Sequence, residues 1–257
     1  MKRQKWKLFL SALIVLLVLS ACSLRTDVKK AHQGEHPAHD HASHQIKDIH
    51  PTVSAMVQQG VHVVADPESI LVLVNKHFKL PDNYQPHLLV YPKVRFLGGH
   101  TEKAKMRLVA ANALEKMFRA AAKDGITLVG VSAYRSSRTQ TALFNRYAAR
   151  DGKAKALTYS ALPGTSEHET GLAIDVSGAG GQGAATTAFA GTKESNWLEK
   201  YAQAYGYIIR YPKGKEAVTG YEYEPWHLRY VGPTVAKTIK ENDQTLEEYL
   251  GEVPVTK

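Results

Sequence analysis

Two histidines lie beyond position 100, His168 and His227, and each sits in a stretch dense with groups that can do chemistry. The first stretch is Ser166-Glu167-His168-Glu169-Thr170-Gly171-Leu172-Ala173-Ile174-Asp175-Val176. A carboxylate at Asp175, flanked by Ile174 and Val176, is costly to bury unless it is paired or bound to a metal. The second stretch is Glu222-Tyr223-Glu224-Pro225-Trp226-His227-Leu228-Arg229-Tyr230. Two imidazoles and one carboxylate suit a single Zn²⁺ with a fourth position left for water. Glu224, three residues before His227, can stand beside such an ion without ligating it and carry a proton from water to a leaving amine. The plainer alternative is a pair of satisfied structural histidines and a capping or ion-paired Asp175.

A third stretch, Ser132-Ala133-Tyr134-Arg135-Ser136-Ser137-Arg138-Thr139-Gln140, falls where a strand gives way to a helix. Such a junction presents free N–H groups toward anions. Arg135 can hold a carboxylate or a developing oxyanion there, while Ser136 serves as a helix N-cap. Tyr134, Trp226 and Tyr230 read as packing around the site, and Arg138 and Arg229 as surface or supporting ion pairs. The glycine-rich run 178–183 lacks a phosphate-loop pattern and reads as a loop near the site.

The elements that must position these groups follow from periodicity. Residues 67–74 can form a short helix entered from Asp66, and 83–96, with Pro86 and Pro92, an extended lead-in. Residues 101–123 give the clearest helix, with Met106, Val109, Ala113, Met117 and Ala121 at helical spacing and Asp124-Gly125 ending it. Strands are expected at 126–132, 171–176, 207–210 and around 221–230, and helices at 136–150, 195–205, 233–241 and 245–250. Without regular βαβ spacing, this is an α+β domain with a small central antiparallel sheet flanked by helices.

The chain has 257 residues, 44% hydrophobic and 22% charged, which suits a globular enzyme. Its start reads as a signal segment: basic residues Lys2 to Lys7, an apolar run of 12 residues at 8–19, then Leu19-Ser20-Ala21-Cys22. That run is short of the roughly 20 residues a spanning helix needs. Leu-Ser-Ala-Cys resembles the bacterial lipobox, in which the chain's single cysteine is lipidated and becomes the new N-terminus. Without Lys2, Arg3, Lys5 and Lys7 the 33 basic residues fall to 29 against 24 acidic ones, a net charge of +5 in place of +9. No clustered basic stripe points to nucleic acid. Residues 22–65, with His32, His36, His39, His41, His44 and His50, read as a flexible tether, and metal capture by these histidines is the sharper alternative to a spacer. The expected division is signal peptide 1–21, tether 22–65, folded domain 66–251 and tail 252–257.

Taken together, the three motifs resemble the VanY-type D-alanyl-D-alanine carboxypeptidases and the similar L,D-carboxypeptidases of the LdcB type. The likeness runs over about 68–250 and includes Phe189 to Glu194 and 207–214. The resemblance implies a compact α+β zinc peptidase fold, of the kind shared with hedgehog proteins, with His168, Asp175 and His227 as zinc ligands. It implies Glu224 and Arg135 as catalytic residues, and Gln140 and Ser166 as substrate contacts. It also implies peptidoglycan stem peptides as substrate, a terminal D-alanine as the residue removed, and a monomeric enzyme held by Cys22 at the outer face of the cell membrane. A non-catalytic zinc- or wall-binding lipoprotein is the competing reading, and cleavage of cross-links by an open groove is a third. A base at Glu224 beside a full ligand set favours the enzyme.

Overall fold

The computed structural model describes residues 56–58, 61–252 and 254–255. The signal segment, Cys22 and the histidines from His32 to His50 lie outside the described residues.

Strands β1 (Met56–Gln58) and β2 (Val61–Val63) pair antiparallel, and β2 runs parallel to β3 (Phe78–Lys79). Both β1 and β2 fall inside the stretch read as tether, so regular structure begins before Asp66. No helix forms at 67–74. Asp66 instead folds back on itself, its side chain accepting the N–H groups of Glu68 and Ser69, and Arg229 takes the carbonyls of Ile70 and Val72. A helix over 67–74 would have needed the Ile70 carbonyl for Val74 N–H.

β4 (Leu89–Val90) pairs antiparallel with β5 (Met106–Arg107), and α1 (Leu108–Lys123) follows at once. The helix expected from 101 therefore starts at Leu108. Arg107 N–H bonds to the Gly171 carbonyl and Leu108 N–H to that of Leu88, which commits the backbone there to neighbours. Within α1, Ala110, Leu114, Met117, Phe118 and Ala121 form the buried stripe.

The sheet that carries the site has four strands: β6 (Leu128–Ser132), β7 (Ala173–Gly178), β8 (Tyr207–Ile209) and β9 (His227–Tyr230). Their order is β6-β7-β9-β8 and every neighbouring pair is antiparallel. Only 227–230 of the region around 221–230 is strand. Helices α2 (Ser137–Asp151), α3 (Lys153–Ala156), α4 (Lys193–Tyr201), α5 (Glu216–Thr219), α6 (Pro233–Glu241) and α7 (Leu246–Leu250) flank the sheets. α2 is capped by Ser136, and α7 opens on a capping box between Thr245 and Glu248. The core runs under the four-stranded sheet through Ile174, Val176, Tyr207 and Leu228 to α1, α4 and α6. At the outer edge of β6, Phe96 forms a parallel bridge to Gly130, with Leu97 N–H on the Gly130 carbonyl and Gly130 N–H on that of Arg95. The result is the expected α+β class. Among the described residues no helix is long and apolar enough to cross a membrane.

Candidate active site

Sheet register assembles the site. Asp175 lies at the middle of β7, opposite His227 at the start of β9 on one side and Ser132 at the end of β6 on the other. His168 arrives from a short 3-10 turn, Glu167–Thr170, which Gly171 closes in a left-handed conformation with φ 68°. A Cβ at Gly171 would also meet Leu89 Cδ2 at 2.9 Å, so the turn needs glycine for space as well as for φ. Glu224-Pro225-Trp226-His227 is a β-turn, with His227 N–H on the Glu224 carbonyl at 3.1 Å and proline at the second position. The turn sets the Glu224 carboxylate 3.8 Å from His227 Nδ1.

The donor atoms of His168, Asp175 and His227 all lie within 4.8 Å of one another, and all three side chains are buried. His168 has one ring nitrogen hydrogen-bonded outside the triad, and His227 has one that faces a carboxylate without bonding it. His168 Nδ1 meets the Ala133 carbonyl at 2.6 Å, which leaves Nε2, 3.4 Å from Asp175 Oδ2, facing inward. His227 presents Nδ1 to Asp175 Oδ1 at 2.9 Å and Nε2 to Glu167. Converging N, O and N donors on three buried side chains fit a zinc site with a fourth position left open.

The electrostatics match that donor set. Burial alone would raise the Asp175 carboxyl, but His168 and His227 outweigh it and hold the group well below the usual carboxylate range. Burial and the nearby Arg135 bring His168 down to about 4, so its imidazole is neutral at ordinary pH, as a ligand must be. For His227 burial is overcome by Asp175 and Glu167, and the ring rises to about 9. A divalent cation held by His227 would take the place of a proton there. Burial pushes Glu224 up to about 8, against the pull of His227.

Arg135, Ser166, Glu224 and Trp226 join the three ligands in lining a cavity of 480 Å³. Its wall continues to Ala185 and Thr187, just past the glycine-rich loop, and to Arg150, Tyr159 and Glu222 at the far side. Arg135 donates through Nη2 to Asp175 Oδ2 at 3.3 Å and through Nη1 to Gln140 Oε1 at 3.0 Å. Gln140 itself is fully buried and does not line the cavity. Its amide bridges Arg135 to the Ala161 carbonyl at 2.7 Å, a placement that braces the guanidinium. The junction before α2 is not free for an anion either, because the Glu102 carboxylate already accepts Ser136 N–H and Thr139 Oγ1–H. Tyr134 and Tyr230 are buried away from the cavity.

Sequence reasoning passed over Glu167 and Arg210. Glu167 receives Arg210 at 2.8 Å and Arg229 at 2.6 Å, and Arg210 continues to Glu247 at 2.7 Å, all with fully buried side chains. The signal was a charged residue closing the apolar strand Tyr207-Ile208-Ile209, where a lone arginine would need a partner. Arg229, read as surface or supporting pair, is the supporting kind.

Three buried donors that could hold a metal ion, a Glu224 carboxylate 3.8 Å from one of them and the Arg135 guanidinium meet on one cavity, an arrangement that fits a metal-dependent hydrolase centre. Comparison with known proteins narrows the class. Residues 103–233 match the VanY family, described as D-alanyl-D-alanine carboxypeptidase. The putative carboxypeptidase YodJ of Bacillus subtilis is 48% identical over 195 residues, covering 76% of this chain and 71% of that protein. The solved LdcB LD-carboxypeptidase superposes with a TM-score of 0.73 at 46% identity, over 77% of this chain and 94% of that one. A VanY D,D-pentapeptidase solved with Zn(II) gives 0.58 at 31% identity, over 70% and 98%. The chain belongs to the VanY D-alanyl-D-alanine carboxypeptidase family.

Proposed function

We propose that the chain is a zinc-dependent carboxypeptidase that removes the C-terminal D-alanine from peptidoglycan stem peptides. The observation that carries this is the meeting of His168, Asp175 and His227 with Glu224 and Arg135 on one cavity. The zinc of the related VanY structure supports the ion, and the donor set here fits it. Bound at that triad, zinc supplies Lewis acidity toward water and the scissile carbonyl.

The protein groups do the rest. Glu224, in its ionised form, accepts the proton of the attacking water and returns it to the departing amine. Arg135, braced by Gln140, neutralises negative charge, either the substrate carboxylate or the oxyanion that develops during attack. Ser166, buried at the cavity wall, contacts the peptide. Cleavage at an L-centre, giving the L,D-specificity, is favoured over the D,D-form by the greater likeness to LdcB than to the VanY pentapeptidase. Residues 1–21 act as a lipoprotein signal and Cys22 as a lipid anchor, and the enzyme works as a monomer outside the membrane at the end of its histidine-rich tether. The lipobox-like Leu19-Ser20-Ala21-Cys22 supports this.

Mass spectrometry of purified enzyme acting on tetrapeptide and pentapeptide muropeptides tests the reading. Release of one D-alanine, chiefly from tetrapeptide, abolished by chelation and restored by zinc, is the expected result. A zinc-loaded protein that leaves both substrates intact removes the hydrolase and restores the binding protein.

A further inference from the structure

His227 Nε2 and Glu167 Oε2 are both buried and without a hydrogen-bond partner, and they face each other across 3.6 Å. The rest of Glu167 is fully engaged. Its Oε1 accepts Nε–H of Arg210 at 2.8 Å and Nη1–H of Arg229 at 2.6 Å. Arg210 is in turn fastened by two bonds to the Glu247 carboxylate, at 2.9 and 2.7 Å, and Glu247 receives the Asn75 amide at 3.1 Å. Arg229 is fastened to the carbonyls of Val72 at 2.7 Å and Tyr230 at 3.1 Å. The carboxylate therefore cannot turn away, and its free oxygen is aimed at one edge of the ring whose other edge meets Asp175.

We propose that Glu167 is a positioning residue for the metal site: it accepts Nε2–H of His227 and so reserves the Nδ1 lone pair for the ion. The inference rests on His227 being a metal ligand. A carboxylate held between two guanidiniums can only accept, and a neutral imidazole carries a single N–H. With that N–H drawn to Glu167, Nδ1 is the nitrogen left to bind. A ring shift of about 0.6 Å brings the pair to ordinary N–H···O length. His168 uses the same arrangement with a neutral acceptor, its Nδ1 on the Ala133 carbonyl. A charged acceptor makes the ring more basic and the ligand stronger than a carbonyl does.

Glu167→Gln separates this role from a purely structural one. Its amide oxygen stays with the two guanidiniums, so the NH₂ faces Nε2 and favours the opposite tautomer, with a proton on Nδ1. Zinc affinity of the full chain, measured by competition with a chromophoric chelator, is expected to fall about 10–100-fold. The d–d spectrum of the Co²⁺-loaded protein is expected to shift. Ile239→Ala, which opens the core at α6 away from the site, lowers the melting temperature but keeps zinc affinity within about threefold of wild type. A folded Glu167→Gln protein with wild-type zinc affinity overturns the inference. Should that variant fail to fold, the ¹⁵N-histidine spectrum of zinc-loaded wild type decides. It is expected to show a protonated Nε2 and a metal-shifted Nδ1 on His227, and the reverse pattern overturns the inference. A wild-type chain that takes up no zinc sinks the metal site and this inference together, whereas zinc uptake indifferent to Glu167→Gln sinks only the inference.

Discussion

Two carboxylates stand on opposite edges of one imidazole and are driven in opposite directions. Glu224 Oε2 is 3.8 Å from His227 Nδ1, and Glu167 Oε2 is 3.6 Å from Nε2. Burial lifts both. Glu224 has no guanidinium paired to it among the described residues, and its carboxyl rises to about 8. Glu167 has Arg210 and Arg229 on one oxygen, and they hold it well below the usual carboxylate range in spite of complete burial. Local cations, not depth, decide which acid keeps its proton. The lesson is a division of labour: a carboxyl poised near neutrality can take and give a proton, while one kept ionised serves as a fixed acceptor.

The largest effect is expected on the poised side. Glu224→Gln should lower kcat by roughly 10²–10⁴-fold with zinc content unchanged, read by D-alanine release and metal analysis. Turnover at the wild-type rate would end its part as proton carrier. On the fixed side, Arg229→Met strips one cation from Glu167 and leaves a buried charge underpaired. Urea unfolding should show a loss of about 3–5 kcal/mol, and a change below about 1 kcal/mol would mean that the network does not hold the ligand in place.

Arg135→Lys keeps the charge on the cavity but gives up the fork that reaches Gln140 and Asp175 together. A fall of about 10²-fold in kcat/KM is expected, and a kinetically silent variant would place oxyanion stabilisation elsewhere.

The smallest effect sharpens the rule with a third acid. Glu169 sits two residues from Glu167, accepts Gly164 N–H at 2.8 Å and has no ion pair among the described residues. Burial lifts its carboxyl from the ordinary 4.5 to about 7. The folded chain thus binds a proton that the unfolded chain gives up. The stability this provides is complete below 4.5 and is lost as pH climbs through about 7. Glu169→Gln should therefore melt higher than wild type by roughly 2–4 °C at pH 8 and no higher at pH 5. Equal gains at both values would show that the carboxyl is not raised.

Much of this was readable from residue order. His168, Asp175, His227, Glu224 and Arg135 stand in motifs that contain a turn and a strand, and those are elements that bring the side chains together. What stayed hidden depends on contacts between distant segments. Gln140 in a helix pattern gives no sign of whether it will face a peptide or brace an arginine five residues earlier. Glu167 looks like any polar neighbour of His168 until Arg210, just past β8, and Arg229 of β9 reach it. The apolar period through Met106 suggested helix, yet Met106 pairs with Val90, a partner that helical spacing cannot announce.

A glycine also governs how this molecule keeps to itself. β6 borders its sheet, and a bare border offers other chains a row of backbone groups to zip onto. The strap at 95–97 occupies those groups at Gly130, and the Phe96 ring lies flat where a methyl would come within 2.5 Å of it. A larger residue at 130 would have to push the Phe96 ring aside, and a strap displaced with it would leave a sheet border prone to clumping at high concentration.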